Sequence, residues 1–192
     1  MQTPSGTSLK SHLGIVTNDL HHQYINMDYP TGKDVVASGF FDSLGIYHNV
    51  THEQQEKVEE IMDFLEIQHI AEKKISHMSS GEGRKCLIGR ALVCDPDAMM
   101  LDEPTTGLDI KAQFNFIKLM EKVADHGKTI ILITHHIEEI FSQIGKIAFL
   151  SEGTIKAIGS KNDMLTTEHI VHKNIDNYLH VDATCIDCTI NV

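Results

Sequence analysis

Three short apolar runs constrain what this chain can fold into more than any other feature. Ala98-Met99-Met100-Leu101, Thr129-Ile130-Ile131-Leu132-Ile133-Thr134 and Lys146-Ile147-Ala148-Phe149-Leu150 are nearly continuous rather than alternating. That is the pattern of strands covered on both faces. Between the first two, from about Ile110, Phe116, Leu119, Met120 and Val123 recur at helical spacing, and the segment closes at His126-Gly127, where glycine takes the left-handed cap. Strand, helix, strand is the right-handed crossover unit of a parallel sheet. After the third run, Glu152-Gly153 reads as a tight turn into residues 154–158, an antiparallel partner. The expected fold class is therefore α/β on a parallel-sheet core.

Upstream the periodicity is helical. Residues 53–66 place Val58, Ile61, Met62 and Leu65 on one face, and Thr51 with Gln54 forms a capping-box start. A second helix is expected over residues 80–93, entered from Met78-Ser79 and stopped at Asp95-Pro96. The last thirty or so residues are polar and weakly patterned.

Bulk properties remove some functions. The formal charge of −11 argues against a nucleic-acid surface, which needs basic patches to displace counterions. No apolar run approaches the roughly 18 residues that span a bilayer. The N-terminus lacks a basic start followed by an apolar stretch, so no signal peptide is expected. Four cysteines without an export signal suggest a reducing compartment. Cys86 and Cys94 read as small core residues. Cys185 and Cys188 form a C-x-x-C with His172 and His180 upstream, a spacing that suits an ordinary strand with two thiols better than a zinc site.

Polar residues at the C-terminal ends of buried parallel strands are where α/β proteins keep their sites. Asp102 and Glu103 follow the first run. Adjacent carboxylates there suit a divalent metal with bound phosphate, and the residues alone also allow, as the lesser reading, two acids capping a strand at the surface. Under the first reading Asp102 holds magnesium through water and Glu103 orients the attacking water. Thr134-His135-His136 ends the second run, where a histidine can meet a terminal phosphate or hold a structural bond. Met78-Ser79-Ser80-Gly81-Glu82-Gly83 opens a helix, which is either an anion site of backbone N–H groups or a plain capping box.

Taken together and in order, these segments resemble the ATP-binding cassette family. Residues 78–82 are similar to its signature motif, with Ser79, Ser80, Gly81 and Glu82 as nucleotide-contacting positions. Residues 98–103 resemble Walker B with catalytic Glu103, Gly107-Leu108-Asp109 the D-loop, and His135 the switch histidine. The resemblance covers residues 13–159 and implies a P-loop NTPase-like core lacking its N-terminal strands. It divides the chain into a helical subdomain (about 34–95), half of a catalytic core (96–159) and a C-terminal tail or small appendage (160–192).

The resemblance also implies ATP and Mg2+ as cofactors, a second cassette paired head to tail, and a membrane permease as partner. Ser79 and Gly81 would then contact the γ-phosphate held by the partner cassette, and Asp109 the opposite subunit. The implied location is cytoplasmic, peripheral on the inner membrane face through the permease, without direct membrane insertion or nucleic-acid binding. Residues 34–47 and 134–140 look like those of metal-chelate or molybdate uptake cassettes.

The chain departs from the family in four places, one of them His136, which follows the switch histidine where an acid is common. No G-x-x-x-x-G-K-[ST] phosphate loop is present. Ser5-Gly6-Thr7 has no lysine in register, and Gly32-Lys33 is expected to be an ordinary loop. Asn18, with Gln23 as a nearby alternative, stands where the family has a metal-contacting glutamine. Met78, Ser80 and Glu82 replace leucine, glycine and glutamine in the signature. Glu82 brings a negative charge toward a triphosphate and calls for a compensating cation.

Overall fold

The computed structural model describes residues 12–27, 29–41, 43–44, 49–166 and 177–181, the last as backbone only. Its elements run β1 (Leu13–Thr17), α1 (Asn18–Ile25), α2 (Gly32–Ala37), α3 (His52–Phe64), α4 (Ser80–Leu92), β2 (Ala98–Asp102), α5 (Ile110–Asp125), β3 (Thr129–Thr134), β4 (Lys146–Ser151), β5 (Thr154–Ser160), α6 (Lys161–Met164) and β6 (Asn177–Val181), with short 3-10 turns between.

Six strands form one sheet in the order β1-β2-β3-β6-β4-β5. β1, β2 and β3 are parallel neighbours, with Leu13 level with Ala98 and Ala98 level with Thr129. β6 is antiparallel to both β3 and β4. β5 returns antiparallel along β4, with a register shift between Phe149 and Leu150. The turn joining them has left-handed Glu152 and Gly153, at φ 51 and φ 70, the backbone a two-residue hairpin requires.

The α/β class expected from the apolar runs is the fold observed, and the crossover helix buries Phe116, Leu119, Met120 and Val123 as its spacing requires. The strands are clothed unevenly. Met99, Leu101, Ile130, Leu132 and Thr134 are at most 1% exposed, on the face that α4 and α5 cover. On the other face the row Ile15–Met100–Ile131 is level in register, and Ile15 remains 46% exposed. One continuous core joins α2, α3 and α4 to β1, β2, β3 and α5, so the helical region and the catalytic strands share their packing.

Three readings change. Cys94 is exposed rather than core, because α4 ends at Leu92 and the chain turns out at Asp95, φ 53. Gly32-Lys33 opens α2 behind a Thr31–Asp34 capping box. A Cβ on Gly32 would lie 2.6 Å from the Ile70 carbonyl oxygen, and Lys33 pairs with Glu72. Within the tail, read as polar and weakly patterned, β6 enters the middle of the sheet. Ser5-Gly6-Thr7, His172, Cys185 and Cys188 lie outside the described residues.

Candidate functional site

Asp102 closes β2, level with Thr17 of β1 and Ile133 of β3. The next residue, Glu103, leaves the strand in a left-handed conformation, φ 43, uncommon for a residue with a side chain and frequent where function holds strain. Its N–H donates to the Ile133 carbonyl at 2.9 Å. Its carboxylate Oε1 lies 3.0 Å from His135 Nδ1. An ionised carboxylate only accepts, so His135 Nδ1 carries the proton of this bond and Nε2 is the ring atom left over. Thr106 Oγ1 donates to the second oxygen, Oε2, at 3.4 Å. Glu103 and His135, expected to act together, thus meet across the ends of two adjacent parallel strands.

The signature residues form a second group. Ser79 is the N-cap of α4, accepting from the Glu82 N–H at 3.3 Å, while Glu82 Oε2 accepts from the Ser79 N–H at 2.8 Å. Of the two roles read from residues 78–82, the capping box is the geometry observed. The cation that Glu82 needs is Lys73, whose Nζ donates to Glu82 Oε2 at 2.8 Å. This bond to Lys73, reinforced by those from Ser79, holds the Glu82 carboxyl below the usual carboxylate range. Ser79, Gly81, Glu82 and Asp109 line a cleft of about 240 Å³ together with Lys85 and Lys111, two cations in an acidic molecule. Asp109 caps α5 through a bond from the Ala112 N–H to Oδ1 at 2.9 Å. Ser80 is exposed at the start of α4.

Asn18 joins the two groups. Its Nδ2 donates to the Glu103 carbonyl oxygen at 3.2 Å, and its Oδ1 accepts from Arg84 Nη2. The same nitrogen donates to the Thr106 carbonyl oxygen at 3.3 Å. The Asn18 amide, expected at a metal, is thus engaged at both ends by protein. Beside Arg84, His21 is 5% exposed. Burial, then the Arg84 charge and His22, lower its pKa to about 4, so it is neutral at pH 7.

Sequence reasoning missed Arg84, Thr106 and the pair Thr105–Glu139. Thr105 Oγ1 donates to Glu139 Oε1, both at most 3% exposed, tying the loop after β2 to the loop after β3. These partners come from segments far apart in the chain, and only a hydroxyl-rich Pro104-Thr105-Thr106 stretch marked them. Gly127-Lys128-Thr129, a second Gly-Lys with a hydroxyl, precedes β3 instead of following a strand, and Lys128 pairs with Asp95 at 2.7 Å.

The family model for ABC transporters matches residues 2–106, over half of the chain. The chain belongs to the ABC transporter family of ATP-binding proteins. It is an ABC-type ATPase by membership. An uncharacterized ABC transporter ATP-binding protein, YlmA, of Bacillus subtilis is 30% identical over 182 residues, covering 94% of this chain and 68% of that protein. ModF of Escherichia coli, an ABC transporter ATP-binding protein, is 35% identical over 136 residues, 68% of this chain and 27% of its own length. Among solved structures, a putative metal-chelate type ABC transporter in an inward-facing conformation superposes with TM-score 0.70 at 19% identity, over 88% of this chain and 72% of that one. An ABC transporter cassette in its ADP conformation gives TM-score 0.66 at 19% identity, over 85% and 66%. These two show the same fold.

Proposed function

We propose that this chain provides the catalytic and signature half of an ATP-hydrolysing cassette that drives solute transport through a membrane permease. The observation that carries the reading is the Glu103–His135 contact, 3.0 Å, at the ends of neighbouring parallel strands. With Nδ1–H given to Glu103, His135 turns Nε2 toward the site, where it meets the γ-phosphate or the attacking water. Glu103 takes the water's proton and orients it for in-line attack, so that catalysis is mainly positioning.

Asp102 is exposed at the C-terminal end of β2, which fits a metal that keeps several waters and takes one or two carboxylates plus substrate phosphates. Asp102 would hold a magnesium ion, which would supply neutralisation of phosphate charge. Asn18, engaged at both ends, is assigned to bridging rather than to the metal. Ser79 and Gly81, at the cleft that Lys85 and Lys111 share with Glu82 and Asp109, receive the phosphates held by a second cassette paired head to tail, and Asp109 meets that subunit. No helix of the described residues is long and apolar enough to cross a membrane, so association with the inner membrane face falls to the permease.

In a protein whose phosphate loop is joined upstream of this chain, Glu103→Gln is expected to lower ATP turnover by at least about a hundredfold while ATP still binds. Full turnover of Glu103→Gln would overturn the reading. The rival is a half-cassette that supplies only its signature motif and does not hydrolyse. It is favoured by the absence of G-x-x-x-x-G-K-[ST] from the 192 residues. Equilibrium dialysis of the chain alone is expected to show poor binding of MgATP under either reading. Micromolar binding would show that these residues hold a triphosphate without that loop.

A further inference from the structure

Arg84 is 2% exposed, and no carboxylate among the described residues pairs with it. Its Nε and Nη1 have no hydrogen-bond partner among those residues. A guanidinium this deeply buried depends on the few acceptors it has. They are the Asn18 side-chain oxygen and the Thr106 carbonyl oxygen, both reached by Nη2. Each acceptor belongs to a residue that also binds Glu103. Asn18 Nδ2 donates to the Glu103 carbonyl oxygen at 3.2 Å, and the Thr106 N–H donates to the same oxygen at 3.2 Å. The result is a closed ring, Arg84–Asn18–Glu103–Thr106, in which Glu103 sits at φ 43.

A residue with a side chain stays in the left-handed region only when its surroundings over-determine it. Elsewhere in the chain Glu66, Asp95 and Glu152 have φ 58, 53 and 51, and none of them is tied to this ring. We propose that Arg84 is a positioning residue which, acting through the Asn18 amide and the Thr106 carbonyl, holds the backbone of Glu103 in its left-handed conformation and so aims its carboxylate at His135. Because Arg84 lies on α4, five residues after the Ser79 cap, the ring also ties the orientation of the signature helix to the geometry of Glu103. The backbone claim stands without any assumption about turnover; its consequence for hydrolysis rests on the proposed function.

Two variants of the full chain test it. Arg84→Met removes the cation. Asn18→Asp is the sharper one: a carboxylate gives the buried guanidinium a better partner, so the fold is kept, yet it has no N–H to donate to the Glu103 carbonyl. The readout is NMR of the Glu103 backbone, its Cα and Cβ shifts and HN–Hα coupling, with Asp95 and Glu152 as internal references. Both variants are expected to lose the left-handed signature at Glu103 and to speed Thr106 amide exchange about tenfold, with the references and the β2–β3 ladder unchanged. A Glu103 backbone that stays left-handed in folded Asn18→Asp overturns the proposal, and that variant decides the matter should Arg84→Met fail to fold. If Glu103→Gln proves fully active while the NMR result holds, the reading of Glu103 as the catalytic acid fails and the ring stands.

Discussion

His21 shows how one side chain near the site couples stability to pH. Its pKa is 6.5 in an unfolded chain and about 4 in the fold, lowered first by burial and then by Arg84. Between those values the unfolded state binds a proton that the folded state does not. Its contribution is therefore complete above pH 6.5 and is lost as pH falls toward 4, an effect on the order of 3 kcal/mol. Urea midpoints measured across that range should fall for the wild type and fall less steeply for His21→Gln. Equal slopes would contradict the burial argument. Nothing in the sequence around His21 marked this, because both the burial and the Arg84 charge come from α4. The same holds for Arg84 itself, whose acceptors lie 66 and 22 residues away, and for Thr105 and Glu139, 34 apart. By contrast Glu103 and His135 were legible, since each stands at the end of an unbroken apolar run.

Among the elements, α4 carries the most consequence, since it bears Ser79 at its cap and Arg84 one turn further on. Its distance from β1 is set by Gly14, where a Cβ would lie 2.8 Å from the Ala91 carbonyl oxygen. Gly14→Ala must push that helix outward, with an expected cost of about 1–3 kcal/mol. Thr51→Ala, which removes the exposed capping box of α3, should cost about 1 kcal/mol. Chemical denaturation that ranks the two in the opposite order would contradict the close contact. The capping boxes at Thr51 and Ser79 could be read in advance because both partners lie within four residues. Cys94 could not, since its apolar neighbours belong to a helix that has already ended. Nor could β6, whose Tyr178, Leu179 and Val181 are too short a stretch within a polar tail to mark a strand, and which pairs with β3 and β4.

For the whole molecule, the first two apolar runs correctly implied parallel neighbours, while the third, β4, pairs antiparallel on both sides, and the runs overstated their cover. Helices α4 and α5 bury one face of the sheet, while the Ile15–Met100–Ile131 row stays half-open among the described residues. The charge of −11 argued only against a nucleic-acid surface; the cations that suit a polyphosphate, Lys85 and Lys111, are gathered locally by the fold at the signature cleft. The Glu103–His135 pair and the helix start at Ser79 stand as two groups joined through Asn18 and Arg84. The account turns on Glu103 performing chemistry rather than capping a strand. A single-turnover measurement on the assembled protein, with ATP prebound and magnesium added to start the reaction, separates binding from hydrolysis. The account predicts that wild type converts bound ATP to ADP and that Glu103→Gln retains it as ATP. Conversion at the same rate in both would contradict it.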